Sequence, residues 1–240
     1  MTQELINKLC VALDVDTSSA AMELVSKLKN YAGYFKVGFQ LFTSEGPQIV
    51  KAIIAEGGKV FLDLKFHDIP NTAAKASIEA MNSGAAIFNL HASGGFEMMS
   101  AVSNALNTES AQRNIQKPVV LAVTVLTSLN GKILNDELRV PGDVQTHVLH
   151  LSRLAKEAGL DGVVASAREI KPVREACGNG FIILTPGIRP AWSATDDQKR
   201  FMTPKEAISS GADIIVIGRP IISAKNPVDA AKKVLDEIHY

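Results

Sequence analysis

Eight short apolar runs, each followed by a longer amphipathic stretch, constrain the fold of this chain more than any other feature. Near-continuous apolar strands that alternate with helices are typical of a parallel sheet buried on both faces. The pattern therefore predicts an α/β protein made of repeated strand–helix units. The predicted strands are residues 9–15, 34–38, 59–65, 86–91, 118–124, 162–166, 181–185 and 213–218.

The spacing of these units favours a closed barrel. Eight units in 240 residues give about 30 residues each, which is the size of one βα repeat. No composition break or Gly/Ser linker divides the chain, so we expect one domain over residues 1–240, a single (β/α)8 TIM barrel. The alternative is a doubly wound open sheet. Such a sheet usually has Gly-x-Gly-x-x-Gly after its first strand, whereas this chain has Leu13-Asp14-Val15-Asp16-Thr17.

Charge and cysteine content exclude several classes of partner. Lys and Arg together number 25, and Asp and Glu together also number 25, so the formal net charge is zero. The chain as a whole therefore has no excess positive charge that would attract nucleic acid or an anionic membrane. The longest apolar runs, such as residues 214–217, are too short to span a bilayer, and the N-terminus lacks a signal-peptide pattern. Cys10 and Cys177 form neither a disulfide framework nor a metal-ligand pattern. These features predict a cytoplasmic protein.

The segment from Asp63 to Thr72 concentrates charge at the end of the third predicted strand. Alternate side chains share one face of a strand, so Asp63 and Lys65 point the same way, and Asp68 follows in the turn that Ile69-Pro70 begins. An ordinary core would place apolar residues here. The cluster indicates chemistry in which an acid sits beside an anion, although a structural Asp63–Lys65 ion pair is the alternative.

Other polar residues follow the remaining predicted strands. Active sites of barrels lie at the carboxyl ends of the strands, so these residues are expected to meet. Asp14 and Lys36 form either part of this site or a structural ion pair. Arg219 has a fork suited to phosphate, and Gly218 permits close backbone approach. The alternative is that Arg219 caps a helix or forms an ion pair on the surface. The further candidates are Thr127 after strand five, and Arg189 and Gln198 in the polar loop after strand seven.

Taken together, these motifs resemble the orotidine 5'-phosphate decarboxylase family. The resemblance covers nearly the whole chain. In length, the chain is similar to the short, bacterial-type, single-function enzymes of this family. The matching motifs are Asp63-x-Lys65-x-x-Asp68-Ile-Pro-Asn-Thr72, Phe35-Lys36-Val37-Gly38, Val125-Leu126-Thr127-Ser128, Thr185-Pro186-Gly187-Ile188-Arg189 and Ile217-Gly218-Arg219-Pro220-Ile221, together with Leu13-Asp14 and Gln198.

The resemblance implies a homodimer with shared active sites, no cofactor and no metal. It implies that the substrate is a small nucleotide, orotidine 5'-monophosphate, which is converted to uridine 5'-monophosphate in the last step of de novo pyrimidine synthesis. Lys65 would protonate ring carbon 6 as carbon dioxide leaves, and Asp63 would lie beside the departing carboxylate. Lys36 and Asp14 would bind the ribose hydroxyls, and Thr127 would contact the pyrimidine. Asp68, Ile69 and Thr72 would enter the site of the neighbouring subunit. The phosphate would be bound by Gln198, Gly218, Arg219 and Arg189.

Two alternatives remain at this point. Related phosphosugar decarboxylases and synthases on the same barrel share Asp-x-Lys-x-x-Asp but use magnesium and an enediolate. A non-catalytic nucleotide-binding regulator is the second alternative. The charged cluster opposes it, because binding alone gains nothing from an acid beside a carboxylate.

Overall fold

The described residues, 2–193 and 202–239 of a computed structural model, form a closed barrel of eight parallel strands. Each strand pairs with the next one in the chain, and β8 closes the barrel on β1. All eight predicted strands are confirmed, and the closure rules out the open sheet. The strands are β1 (Leu9–Ala12), β2 (Tyr34–Val37), β3 (Val60–Phe66), β4 (Ile87–His91), β5 (Val119–Val123), β6 (Gly162–Val164), β7 (Ile182–Thr185) and β8 (Ile214–Ile217).

Helices occupy the connections between the strands. They are α1 (Gln3–Ile6), α2 (Ser18–Leu28), α3 (Phe39–Glu45), α4 (Gln48–Ala55), α5 (Pro70–Asn82), α6 (Gly95–Arg113), α7 (Val144–Glu157), α8 (Ile170–Cys177), α9 (Pro204–Ser209), α10 (Arg219–Ile222) and α11 (Pro227–His239). Short 3-10 turns cover Ala92–Gly94 and Ala191–Ser193, and a π-helical turn covers Ile133–Glu137.

The connection between β2 and β3 differs from the sequence-based expectation. The amphipathic pattern of residues 44–56 predicts one helix, but the structure has two, α3 and α4. Gly46 adopts a φ of 65° at the end of α3, and Pro47 precedes α4. A left-handed residue followed by proline ends a helix, so the chain turns here although the apolar spacing continues.

The strands separate two apolar layers. One layer lies between the strands and the helices and includes Val11, Phe35 and Phe88. The other fills the barrel interior with side chains from alternate strand positions, namely Cys10, Ala12, Phe61, Ile87, Leu121, Leu184, Ile214 and Val216.

The interior changes character along the barrel axis. Because side chains alternate along a strand, the residue two positions after an inward-facing one also faces inward. Asp14 follows Ala12, Asp63 follows Phe61 and Asn89 follows Ile87 in this way. The inner face is therefore apolar toward the amino ends of the strands and polar at their carboxyl ends, and this places the site.

Candidate active site

Four side chains of alternating charge lie at the carboxyl ends of β1, β2 and β3. This charge array consists of Asp14, Lys36, Asp63 and Lys65. Lys36 Nζ donates to Asp14 Oδ1 at 3.0 Å and lies 3.6 Å from Asp63 Oδ2. Lys65 Nζ donates to Asp63 Oδ1 at 2.7 Å. The array is neutral overall, and each ammonium group touches at least one carboxylate.

Partial burial makes the charges of the array interdependent. The side chains of Lys36 and Asp63 are only 13% and 14% exposed. Burial alone lowers the pKa of Lys36, but the carboxylates of Asp14 and Asp63 outweigh that effect and hold it above its ordinary value. Lys36 therefore remains an ammonium at neutral pH.

Two neighbours on the connection after β2 shape the array. A Cβ atom at Gly38 would lie 3.0 Å from Lys36 Nζ, so glycine leaves room for the ammonium group. The ring of Phe39, the first residue of α3, lies with its centroid 5.2 Å from Lys65 Nζ. An ammonium group at this distance from an aromatic ring is attracted to the ring, so Phe39 helps to hold Lys65 in place.

Asn89, on β4, is an additional member of the site. Its Oδ1 accepts a hydrogen bond from the backbone N–H of Lys65 at 2.8 Å, and its Nδ2 donates to Asp63 Oδ1 at 2.7 Å. The residue is 1% exposed. Asn89 was not among the site residues predicted from the sequence, although a polar residue within the otherwise apolar run 87–90 is the signal that would have indicated it.

The backbone of Lys65 departs from ordinary strand geometry. Its φ is 45°, in the left-handed region, which is uncommon for residues other than glycine. The pairing of β3 with β4 shifts register between Leu62 and Phe66. Asp63 and Lys65 therefore meet across a bulge. The alternation of side chains along a regular strand, from which their contact was predicted, does not hold here.

A cavity of about 1190 Å³ adjoins the array through Asp14. It opens among the segments that follow β5, β6, β7 and β8. Among the charged residues that line it, three arginines, Arg168, Arg189 and Arg219, outnumber the two carboxylates, Asp14 and Glu169. Within the described ranges, Arg189 and Arg219 form no ion pair. Two guanidinium groups without carboxylate partners suit an anionic ligand.

Two further residues that were predicted from the sequence to belong to the site line the cavity. Thr127, from the segment after β5, and Gly218, at the end of β8, both line it. Gly218 precedes α10, and a Cβ atom there would lie 3.4 Å from Ala12 Cβ and 3.6 Å from Asp14 Oδ2. The charge array and the residues predicted to bind phosphate, Gly218 and Arg219, thus lie at the same end of the barrel.

Comparisons with known proteins place the chain in a family. A sequence model described as "Orotidine 5'-phosphate decarboxylase / HUMPS family" matches residues 7–234. The chain belongs to this family. The match covers every residue of the charge array and Asn89.

Named relatives and solved structures agree with this assignment. Orotidine 5'-phosphate decarboxylase of Geotalea daltonii is 52% identical over 231 residues, covering 96% of this chain and 95% of the relative. The Heliobacterium modesticaldum enzyme of the same name is 46% identical, covering 97% and 96%. The crystal structure of the Lactobacillus acidophilus enzyme superposes with a TM-score of 0.86 at 35% identity and covers 98% of this chain and 100% of that one.

The segment that carries the family motif beyond Lys65 lies outside the charge array. Asp68 and Thr72 are exposed, as is Ile69, whose exposure is 67%. The Asp68 carboxylate accepts a hydrogen bond from the backbone N–H of Ile69 at 2.7 Å, and Pro70 begins α5. These residues therefore lie exposed between the end of β3 and the first turn of α5.

Gln198 and His91 differ in what the structure describes of them. Gln198 lies outside the described residues. The centroid of the His91 ring, at the end of β4, lies 5.5 Å from that of the His67 ring. Burial, His67 and Lys65 lower the pKa of His91, so at neutral pH its imidazole adds no charge to the array.

Residues 2–193 and 202–239 contain neither a cluster of metal ligands nor a helix that could span a membrane. No three His, Cys, Asp or Glu side chains there cluster as metal ligands would. No helix in the same ranges is long and apolar enough to cross a bilayer.

Proposed function

We propose that this protein decarboxylates orotidine 5'-monophosphate to uridine 5'-monophosphate, as a carbon–carbon lyase of pyrimidine biosynthesis. The observation that carries the proposal is the neutral, alternating charge array beside a cavity lined by Arg189 and Arg219, which form no ion pair with the residues that the structure describes. Relatives that bear this enzyme's name are 46% and 52% identical over nearly the whole chain.

The reacting groups in this proposal are Lys65 and Asp63. The bond between ring carbon 6 and the carboxylate breaks, and its electron pair stays on carbon 6 as carbon dioxide leaves. The Lys65 ammonium, 2.7 Å from Asp63, gives its proton to that carbon and later recovers one from solvent. Because the ammonium is already oriented before reaction, it stabilises the carbanion as charge develops.

The carboxylate of Asp63 has two roles in this scheme. It orients Lys65, and it places a negative charge where the substrate carboxylate must sit. Repulsion between the two carboxylates disappears when carbon dioxide leaves, whereas the attraction of Lys65 for the carbanion grows. Only interactions that are stronger in the transition state raise turnover, and both effects meet that condition.

The remaining residues of the site would bind the nucleotide. Lys36 and Asp14 would bind the ribose hydroxyls, and Thr127 would face the pyrimidine. The phosphate would be held by Gly218, Arg219 and Arg189, with Gln198 from the loop after β7. Phosphate binding energy, far from the reacting bond, would position the ring and so raise turnover.

Asp68, Ile69 and Thr72 complete the site from a second subunit. Their exposure between β3 and α5 is the observation that favours a shared site, since exposed side chains are available to a neighbouring subunit. A homodimer with two-fold symmetry would exchange these segments reciprocally. A cytoplasmic location also belongs to the proposal, with no cofactor required.

The first test is direct. Mixing the protein with orotidine 5'-monophosphate should change the ultraviolet absorbance as the substrate is converted, and excess EDTA should leave the rate unchanged. Loss of activity on chelation would instead favour a magnesium-dependent phosphosugar relative. Binding without any absorbance change would favour the non-catalytic regulator.

A second test concerns the phosphate. Arg219→Ala should lower kcat/KM about 10²–10⁴-fold, because a guanidinium fork makes two charge-assisted hydrogen bonds of about 1.5–3 kcal/mol each. Orotidine, which lacks the phosphate, should be a poor substrate that is nearly insensitive to this change. Arg153→Ala, on the exposed face of α7, is the matched control and should behave as wild type. An equal loss with both substrates would make Arg219 structural.

A further inference from the structure

The side chain of Asn89 lies where the pairing of β3 with β4 is interrupted. Leu62 pairs with Phe88, and Phe66 is the next β3 residue to pair, with Leu90. Asp63, Leu64 and Lys65 therefore stand opposite a single β4 residue, Asn89. A bulge of this kind leaves backbone groups without their usual ladder partners. The Asn89 side chain supplies one such partner, because its Oδ1 accepts the Lys65 N–H at 2.8 Å.

The orientation of the Asn89 amide is determined by its neighbours. Only the carbonyl oxygen can accept from the Lys65 N–H, so the NH₂ group must face the Asp63 carboxylate, to which it donates at 2.7 Å. A carboxylate accepts and cannot donate, so the reverse orientation would lose both bonds. With Asn89 1% exposed, water cannot replace either bond.

These two bonds join the two groups that the proposed chemistry depends on. One holds the backbone of Lys65, whose φ is 45°, and the other holds the oxygen of Asp63 that also binds Lys65 Nζ. The reaction needs Lys65 Nζ aimed at a carbon and Asp63 beside a carboxylate. A displacement of about 1 Å at such a position is enough to lower a rate on the order of 10²-fold.

We propose that Asn89 is a positioning residue, which sets the reactive geometry of Lys65 and Asp63 through one accepted and one donated hydrogen bond. The inference rests on the proposed function and adds a residue to it. Asn89 does not touch the substrate in this scheme. Its effect on turnover passes through Lys65 and Asp63, so substrate binding, which depends on the cavity, is largely independent of it.

The first experiment compares Asn89→Ala with a matched control. In Asn89→Ala, kcat should fall on the order of 10²-fold while KM stays within about threefold, since the phosphate and ribose contacts remain. The control is Ser103→Ala, which removes a hydrogen bond to the Gly159 carbonyl of 2.9 Å at a buried site on α6, outside the barrel. It should lower the melting temperature without changing kcat. If Asn89→Ala behaves as Ser103→Ala does, Asn89 is merely structural and the proposal is overturned.

A nearly isosteric variant, Asn89→Asp, separates the two bonds and applies even if the alanine variant fails to fold. The aspartate keeps an acceptor for the Lys65 N–H but loses the donor to Asp63. Two carboxylates this close tend to share a proton, and that proton restores the donated bond. The titratable groups around the pair are Asp14, Lys36, Lys65 and His91. The ratio of variant to wild-type kcat should therefore rise at least fivefold as the pH falls from 8.5 to 5.5. A ratio that does not change with pH overturns the role of the bond to Asp63.

Crystal structures of both variants make this inference testable apart from the activity. Lys65 should leave the left-handed region in Asn89→Ala and retain it in Asn89→Asp. An unchanged Lys65 backbone in the alanine variant overturns the proposal. Failure of the wild-type protein to act on orotidine 5'-monophosphate would instead overturn the proposed function, and the structural comparison would still decide what Asn89 holds in place.

Discussion

Replacing Lys65 by alanine should abolish decarboxylation while leaving the barrel folded. In the proposed mechanism, the change removes both the proton donor and the cation beside the developing carbanion. Proton donation by a positioned group contributes about 10²–10⁴-fold and a preorganised charge about 10²–10³-fold. We therefore expect kcat to fall by at least about 10⁴-fold, as measured by absorbance with orotidine 5'-monophosphate.

The fold should survive because Asp63 keeps other partners. After removal of Lys65, the Asp63 carboxylate still accepts from Asn89 at 2.7 Å and still lies 3.6 Å from Lys36 Nζ. Binding of uridine 5'-monophosphate should also persist, since the cavity arginines are unchanged. Circular dichroism and titration with that nucleotide measure these two properties.

Two control variants sharpen the interpretation. Lys51→Ala, on the exposed face of α4, removes a lysine far from the array and should keep full activity. Lys65→Arg keeps a cation that does not release its proton and should be nearly inactive. Turnover near the wild-type level in Lys65→Ala would remove Lys65 from the mechanism, and full activity in Lys65→Arg would remove its role as proton donor.

Two inactive variants should restore activity to each other when their subunits exchange. Lys65→Ala and Asp68→Ala each lose activity alone if a site takes Lys65 from one chain and Asp68 from the other. In a mixed dimer, one site then carries both lesions and the other carries neither. Random exchange at equal amounts gives about half mixed dimers, so roughly a quarter of all sites should work.

A second mixture provides the control for this exchange. Lys65→Ala mixed with Asp63→Ala should regain nothing, because Lys65 and Asp63 touch at 2.7 Å within one chain and every site in the mixed dimer lacks one of them. Native mass spectrometry measures the exchange in both mixtures. If exchange occurs and the first mixture stays as inactive as the second, Asp68 serves the site of its own chain.

The sequence was most informative where the pattern is local. The eight strand–helix units follow from the period of apolar residues, and their predicted boundaries lie within a few residues of the observed ones. The Asp63–Lys65 pair was also predicted, from the alternation of side chains along a regular strand, but in the structure the two residues meet across a bulge. The break between α3 and α4 was missed because apolar spacing continues across Gly46 and Pro47.

By itself, the sequence determined the barrel, the end of the barrel at which polar groups gather, and the family motif. Only the tertiary structure decided that Asp14 meets Lys36, that Asn89 spans Asp63 and Lys65, and that the backbone of Lys65 is left-handed. Asp14 and Lys36 are 22 residues apart, and Asn89 lies 26 residues from Asp63. Contacts over such separations depend on strand register and barrel closure, which the sum of all strand pairings sets rather than any local pattern.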